Sequence, residues 1–86
     1  MKVILPTPLS EYTANAREVQ ARGATLDELF DDLDRQFPGL RFRVVDEQGR
    51  LRRHMNVYVN QHRTRDLSTS LSHDDELTIM QALSGG

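Results

Sequence analysis

The sequence predicts an α+β fold in which a mixed sheet of four to five strands packs on one main helix. Two observations carry this. Residues 25–39 hold a single strongly amphipathic helical pattern with a start signal and a stop signal. The other apolar residues fall in short alternating runs toward both ends of the chain. Strands gathered on one side of a single helix form a two-layer α+β architecture. At 86 residues the chain is one domain with one modest core.

Residues 1–5 alternate around Val3 and predict a first strand, ended by Pro6 and Pro8. Residues 10–16, SEYTANA, are polar and turn-like. In residues 17–23, REVQARG, Val19 and Ala21 alternate with polar neighbours up to Gly23. This is a second, half-buried strand, expected to pair with the first as a hairpin. Gly23 is read as permitting the turn into the helix.

The helix is TLDELFDDLDRQFPG. Thr25 is a good N-cap, and Glu28 three residues on completes a capping box. Asp27 and Glu28 sit in the first turn, where the helix dipole favours acids. Leu26, Leu29, Phe30, Leu33 and Phe37 share one face. Asp31, Asp32, Asp34 and Arg35 fall on the other, expected to be solvated, and Pro38-Gly39 ends the element. After it, Leu40, Phe42 and Val44 alternate in an irregular region, and Asp46-Glu47-Gln48-Gly49 makes a turn. Residues 56–60, NVYVN, predict a strand with Val57 and Val59 on one face and Tyr58 on the other. Residues 61–75 read as a long polar connection, pinned to the core by Leu67 and Leu71. Residues 76–83 are the last strand, with Leu77, Ile79 and Leu83 facing one way and Thr78, Met80 and Ala82 the other. The first and last strands are the most apolar, so they are expected to be central neighbours. A mixed sheet wrapping one helix is the β-grasp, or ubiquitin-like, arrangement. Residues 1–83 form that domain and 84–86 a flexible Gly-Gly tail.

Composition excludes several function classes. A net charge of −2 opposes general nucleic-acid binding. No run of about 18 apolar residues exists to span a membrane, and the N-terminus lacks a signal-peptide core, so the expected location is cytoplasmic. With zero cysteines there is no disulfide, thiolate metal site or cysteine nucleophile. His54, His62 and His73 are scattered, so no metal is expected. Ser68, Ser70, Ser72 and Ser84 lie in no nucleophile elbow. Arg50, Arg52 and Arg53, with Arg41, Arg43, Arg63 and Arg65 nearby, are either a docking patch for an acidic partner or solvated cations. No residue before the tail resembles a catalytic centre.

The remaining feature is the terminal ALSGG. Residues 83–86 reach at most about 14 Å when extended. Glycine has no Cβ, so it fits a narrow channel. The segments LPTPLSEYT, GATLDELFDDLDRQFPGL, DEQGRLRRHMNVYVN and DDELTIMQALSGG together resemble the MoaD/ThiS group of ubiquitin-like sulfur carriers, and within it the CysO-type branch of cysteine biosynthesis. The resemblance implies a protein that is not an enzyme and holds no cofactor. It implies an E1-like partner that uses ATP to adenylate the carboxylate of Gly86, which sulfur then converts to a thiocarboxylate. The sulfur goes to a downstream synthase that makes cysteine or another sulfur-containing metabolite or cofactor. Gly85, Ser84, Leu83 and Ala82 are the segment threaded into partners. Arg50, Arg52, Arg53, Tyr58 and Met80 are the candidate docking surface. Asn60-Gln61-His62 replaces the Asn-Gly-acidic turn usual in the family. The alternative is a ubiquitin-like protein modifier or a β-grasp interaction module working through its surface.

Overall fold

The computed structural model describes residues 1–82. Five strands form one sheet: β1 (Lys2–Ile4), β2 (Glu18–Gln20), β3 (Met55–Val59), β4 (His62–Thr64) and β5 (Glu76–Gln81). Their spatial order is β2-β1-β5-β3-β4. Three of the contacts are antiparallel, and β1 with β5 is parallel, Val3 facing Leu77. Helix α1 (Leu26–Gln36) supplies most of the second layer, helped by a short α2 (Leu40–Val44) and a 3-10 helix (Thr7–Thr13). This is the β-grasp arrangement, with the first and last strands adjacent at its middle. Leu83 and the tail from residue 84 lie outside the described residues.

The core is where the alternating and helical patterns meet. Val3, Met55, Val57, Leu77 and Ile79 from the sheet meet Leu26, Leu29, Phe30 and Leu33 from α1, all buried. Each such side chain contributes on the order of 2 kcal/mol through burial. Leu67 and Leu71 pack against this cluster and hold the long connection down. Thr25 Oγ1 accepts the Glu28 N–H at 3.3 Å, as the cap motif requires. The Glu28 carboxylate reaches back to the Ala24 N–H, one residue before the cap.

The structure departs from the sequence reading in five places. Residues 40–44 are helical. Leu40 and Val44 are buried and satisfy both a strand pattern and an i, i+4 pattern, but Phe42 between them is 56% exposed. Gly39 at φ +96 turns the chain, and the Asp34 carboxylate accepts the Gly39 and Arg41 N–H groups at 3.1 Å each. The long polar connection contains β4. An edge strand needs no apolar residues, and here His62 and Arg63 are both exposed. Residues 10–13 of the polar stretch belong to the 3-10 helix, with Leu9, Ser10 and Thr13 buried.

Asp32 is buried rather than solvated. Its carboxylate accepts the Arg22 N–H at 3.1 Å and Gln36 Nε2 at 2.9 Å, and it pairs with Arg35. It ties α1 to the segment leaving β2. Gly23 is required by close approach as much as by the turn. A Cβ there would lie 2.5 Å from the Leu29 nitrogen and 2.8 Å from the Glu28 carbonyl carbon.

Candidate functional site

Four chain segments converge at one end of the sheet. β1 and β5 run in parallel, so the residues after β1 lie beside the last residues of β5. β2 and β3 are antiparallel to these two, so each begins at the same end. The backbone records the convergence. Leu5 donates to the Arg17 carbonyl at 2.8 Å, and Ala82 donates to the His54 carbonyl at 2.7 Å. Ala82 is thus pinned to the start of β3, four positions short of Gly86.

A cleft opens here, bordered by Pro6 and Pro8 from the β1 exit, Arg17 from the β2 entry, Arg53 and His54 before β3, and Met80 on β5. Arg17 is held by Nε donating to the Leu5 carbonyl at 3.1 Å. Met80 is 52% exposed, as its outward position on β5 dictates.

The residues expected to dock partners are distributed unevenly about this cleft. Arg53 and Met80 line it together with Ala82. Tyr58 shares the outward sheet face with Met80 across Thr78, its register partner, and both border a shallow groove with Asn60, Gln61 and Glu76. Arg50 and Arg52 belong to the turn before β3. Arg50 Nη2 donates to Gln48 at 2.7 Å. Arg52 donates Nε to the Phe42 carbonyl at 2.7 Å and lies 4.6 Å above the Phe42 ring. Two further arginines are structural. Arg41 pairs with Asp27 and Asp31, and Arg65 donates to the carbonyls of Met55, Leu51 and Arg52. Gly85, Ser84 and Leu83, like Gly86, lie outside the described residues.

The sequence reading missed Arg17, Pro6 and Pro8 as neighbours of Ala82. The β1–β2 hairpin implied the Leu5–Arg17 contact, but only the parallel β1–β5 pairing brings it beside Ala82. The carboxylates with lowered pKa values are elsewhere. Asp46, Asp66 and Asp75 each cap a turn by accepting neighbouring N–H or O–H groups. Among the described residues no group of three His, Asp or Glu is placed to hold a metal ion. No helix among them is long and apolar enough to cross a membrane.

The sequence matches the ThiS family over residues 3–86. The chain belongs to the ThiS family. Among its relatives is the sulfur carrier protein CysO of Mycobacterium tuberculosis, 35% identical over 89 residues, covering 98% of this chain and 96% of that one. Solved structures agree with the fold. CysO in the BexX/CysO complex of Amycolatopsis orientalis gives a TM-score of 0.91 at 38% identity, covering 99% of this chain and 98% of that one. SAMP1 of Haloferax volcanii, a small archaeal modifier protein, gives 0.79 at 32% identity, covering 100% and 98%. In this ThiS-family chain the cleft lies beside Ala82, the residue that follows β5.

Proposed function

We propose that this ThiS-family chain is a sulfur carrier whose sulfur rides on the carboxyl carbon of Gly86. The chain is the substrate of other enzymes and catalyses nothing itself. The observation that carries the reading is the Ala82–His54 hydrogen bond at the end of β5. It fixes the base of the segment on the folded domain, so that Leu83–Gly86 supply a lead of at most about 14 Å. Two terminal residues without Cβ atoms let that lead enter a narrow active site.

The chemistry needs an activated acyl group, because a carboxylate is a poor electrophile. An E1-like enzyme supplies this from ATP. The Gly86 carboxylate attacks the α-phosphorus, pyrophosphate leaves, and an acyl-adenylate forms. A sulfide-level nucleophile then attacks the carbonyl carbon and expels AMP, leaving a thiocarboxylate. A downstream synthase takes that sulfur into cysteine or another sulfur-containing product. Similarity to the CysO carriers supports cysteine. The relative found in complex with BexX supports docking of the folded carrier on a protein partner.

The test is intact mass after incubation with the E1-like enzyme of the same genome, ATP and a sulfide source. The expected result is a mass increase equal to one oxygen replaced by sulfur, located on Gly86. A chain lacking Gly86 should stay unmodified while keeping its fold. No mass change in the intact chain would overturn the reading.

Similarity to SAMP1 favours one second reading, in which the same activated carboxylate is delivered to lysine amines. Isopeptide-linked ladders that vanish on removal of Gly85-Gly86 would establish it. A module acting only through its surface would be indifferent to that deletion.

A further inference from the structure

The cleft at the tail base is basic in a chain that is acidic overall. The sequence holds 13 acidic residues against 11 Lys and Arg. Among the described residues the lining of the cleft includes Arg17, Arg53 and His54 and no Asp or Glu. Three cations elsewhere are paired, Lys2 with Glu76, Arg35 with Asp32, and Arg41 with Asp27 and Asp31. Other surface arginines, such as Arg22 and Arg63, have no such pair among the described residues. What distinguishes the cleft is that two arginines face one concave surface beside Ala82. Among the described residues neither Arg17 nor Arg53 has a carboxylate within ion-pair distance. Arg17 is oriented by its Nε bond to Leu5, and that bond leaves both terminal nitrogens of its fork for another acceptor. Beside these cations lie the apolar surfaces of Pro6, Pro8 and Met80.

We infer that this cleft docks an acidic segment of the protein that receives the tail, with carboxylates on Arg17 and Arg53 and an apolar side chain against Pro6, Pro8 and Met80. The inference rests on the carrier reading, because Ala82 itself lines the cleft and a protein that accepts residues 83–86 must lie against it. Guanidinium–carboxylate pairs are directional and strengthen as water is excluded. They set the orientation of the domain and hence the line along which the lead enters. Arg50, engaged with Gln48 in its own turn, and Arg52, engaged with Phe42 of α2, contribute little to this contact.

Steady-state activation by the E1-like enzyme of the same genome tests the cleft. Arg53→Glu should raise KM for the carrier about tenfold at low salt, with kcat nearly unchanged, and the difference should shrink as ionic strength rises. Arg17→Glu should do the same if its melting temperature is retained. Arg53→Glu keeps the test valid if Arg17→Glu unfolds. Arg22→Glu, an equal charge change at the far end of the β1–β2 hairpin, should leave KM within twofold. A KM within twofold of the parent for Arg53→Glu overturns the inference while leaving the carrier reading intact. So does an equal rise for Arg22→Glu, which would mean non-specific steering. Absence of any Gly86-dependent activation overturns both.

Discussion

The Arg65 guanidinium donates to the Met55 carbonyl at 2.7 Å. From the same position it reaches the carbonyls of Leu51 and Arg52, at 3.1 and 3.0 Å. One side chain after β4 therefore holds the entry to β3, the segment that carries Arg53 and His54 and, through His54, anchors Ala82. Arg65→Ala should destabilise the domain by about 2–3 kcal/mol, because it removes the hydrogen bonds of a charged donor from three carbonyls. Urea unfolding reads this directly. Arg65→Lys should recover less than half, since an ammonium cannot span three acceptors as a planar fork does.

Gly23 allows the segment after β2 to lie against the first turns of α1. A Cβ at this position meets backbone atoms of Glu28 and Leu29, which cannot move aside as a side chain would. Gly23→Ala should cost about 2–3 kcal/mol, read as a lower midpoint in chemical denaturation. A loss below about 0.5 kcal/mol would show that the helix shifts freely.

The β3–β4 turn places both Asn60 and Gln61 at positive φ, +50 and +77. The two positions differ in consequence. Asn60 uses its side chain, donating to Asp75 at 2.6 Å and accepting the Glu76 N–H at 2.9 Å. Gln61 makes no such bond among the described residues, and its backbone conformation is one that glycine adopts freely. Gln61→Gly should stabilise the domain by about 0.5–1 kcal/mol, whereas Asn60→Gly should destabilise it. Paired thermal melts check the opposite signs.

Acid should weaken three turns together. Asp75 has its pKa lowered first by the Ser72 N–H and then by the Asn60 amide. Asp46 is lowered chiefly by the Arg50 N–H, and Asp66 by the Ser68 hydroxyl and then its N–H. Each folded-state pKa lies below the ordinary aspartate value of about 3.9. The unfolded chain therefore takes up protons first as pH falls. The stabilisation is complete above pH of about 4 and is lost as pH drops through the folded-state values. Melting temperature between pH 6 and 2 should fall most steeply below 4, and Asp75→Asn should flatten part of that fall. A profile unchanged by Asp75→Asn would refute its share.

The sequence alone determined α1, its cap and its buried face, because these depend on residues three or four apart. It also determined the inward faces of β3 and β5, since a strand's two faces follow from strict alternation. Tertiary structure decided what depended on distant partners. Leu40 and Val44 fit two periodicities, and the Asp34 carboxylate together with an exposed Phe42 between them goes with the helix. β4 left no apolar trace because its inner neighbour β3 supplies the pairing. Asp32 looked solvated until the Arg22 N–H arrived from ten residues away. Most of all, the cleft at the base of Leu83–Gly86 exists only because β1 and β5, from opposite ends of the chain, lie parallel. The apolar character of the two strands predicted that they would be neighbours; their parallel direction and register, Val3 facing Leu77 under one helix, came only with the tertiary structure.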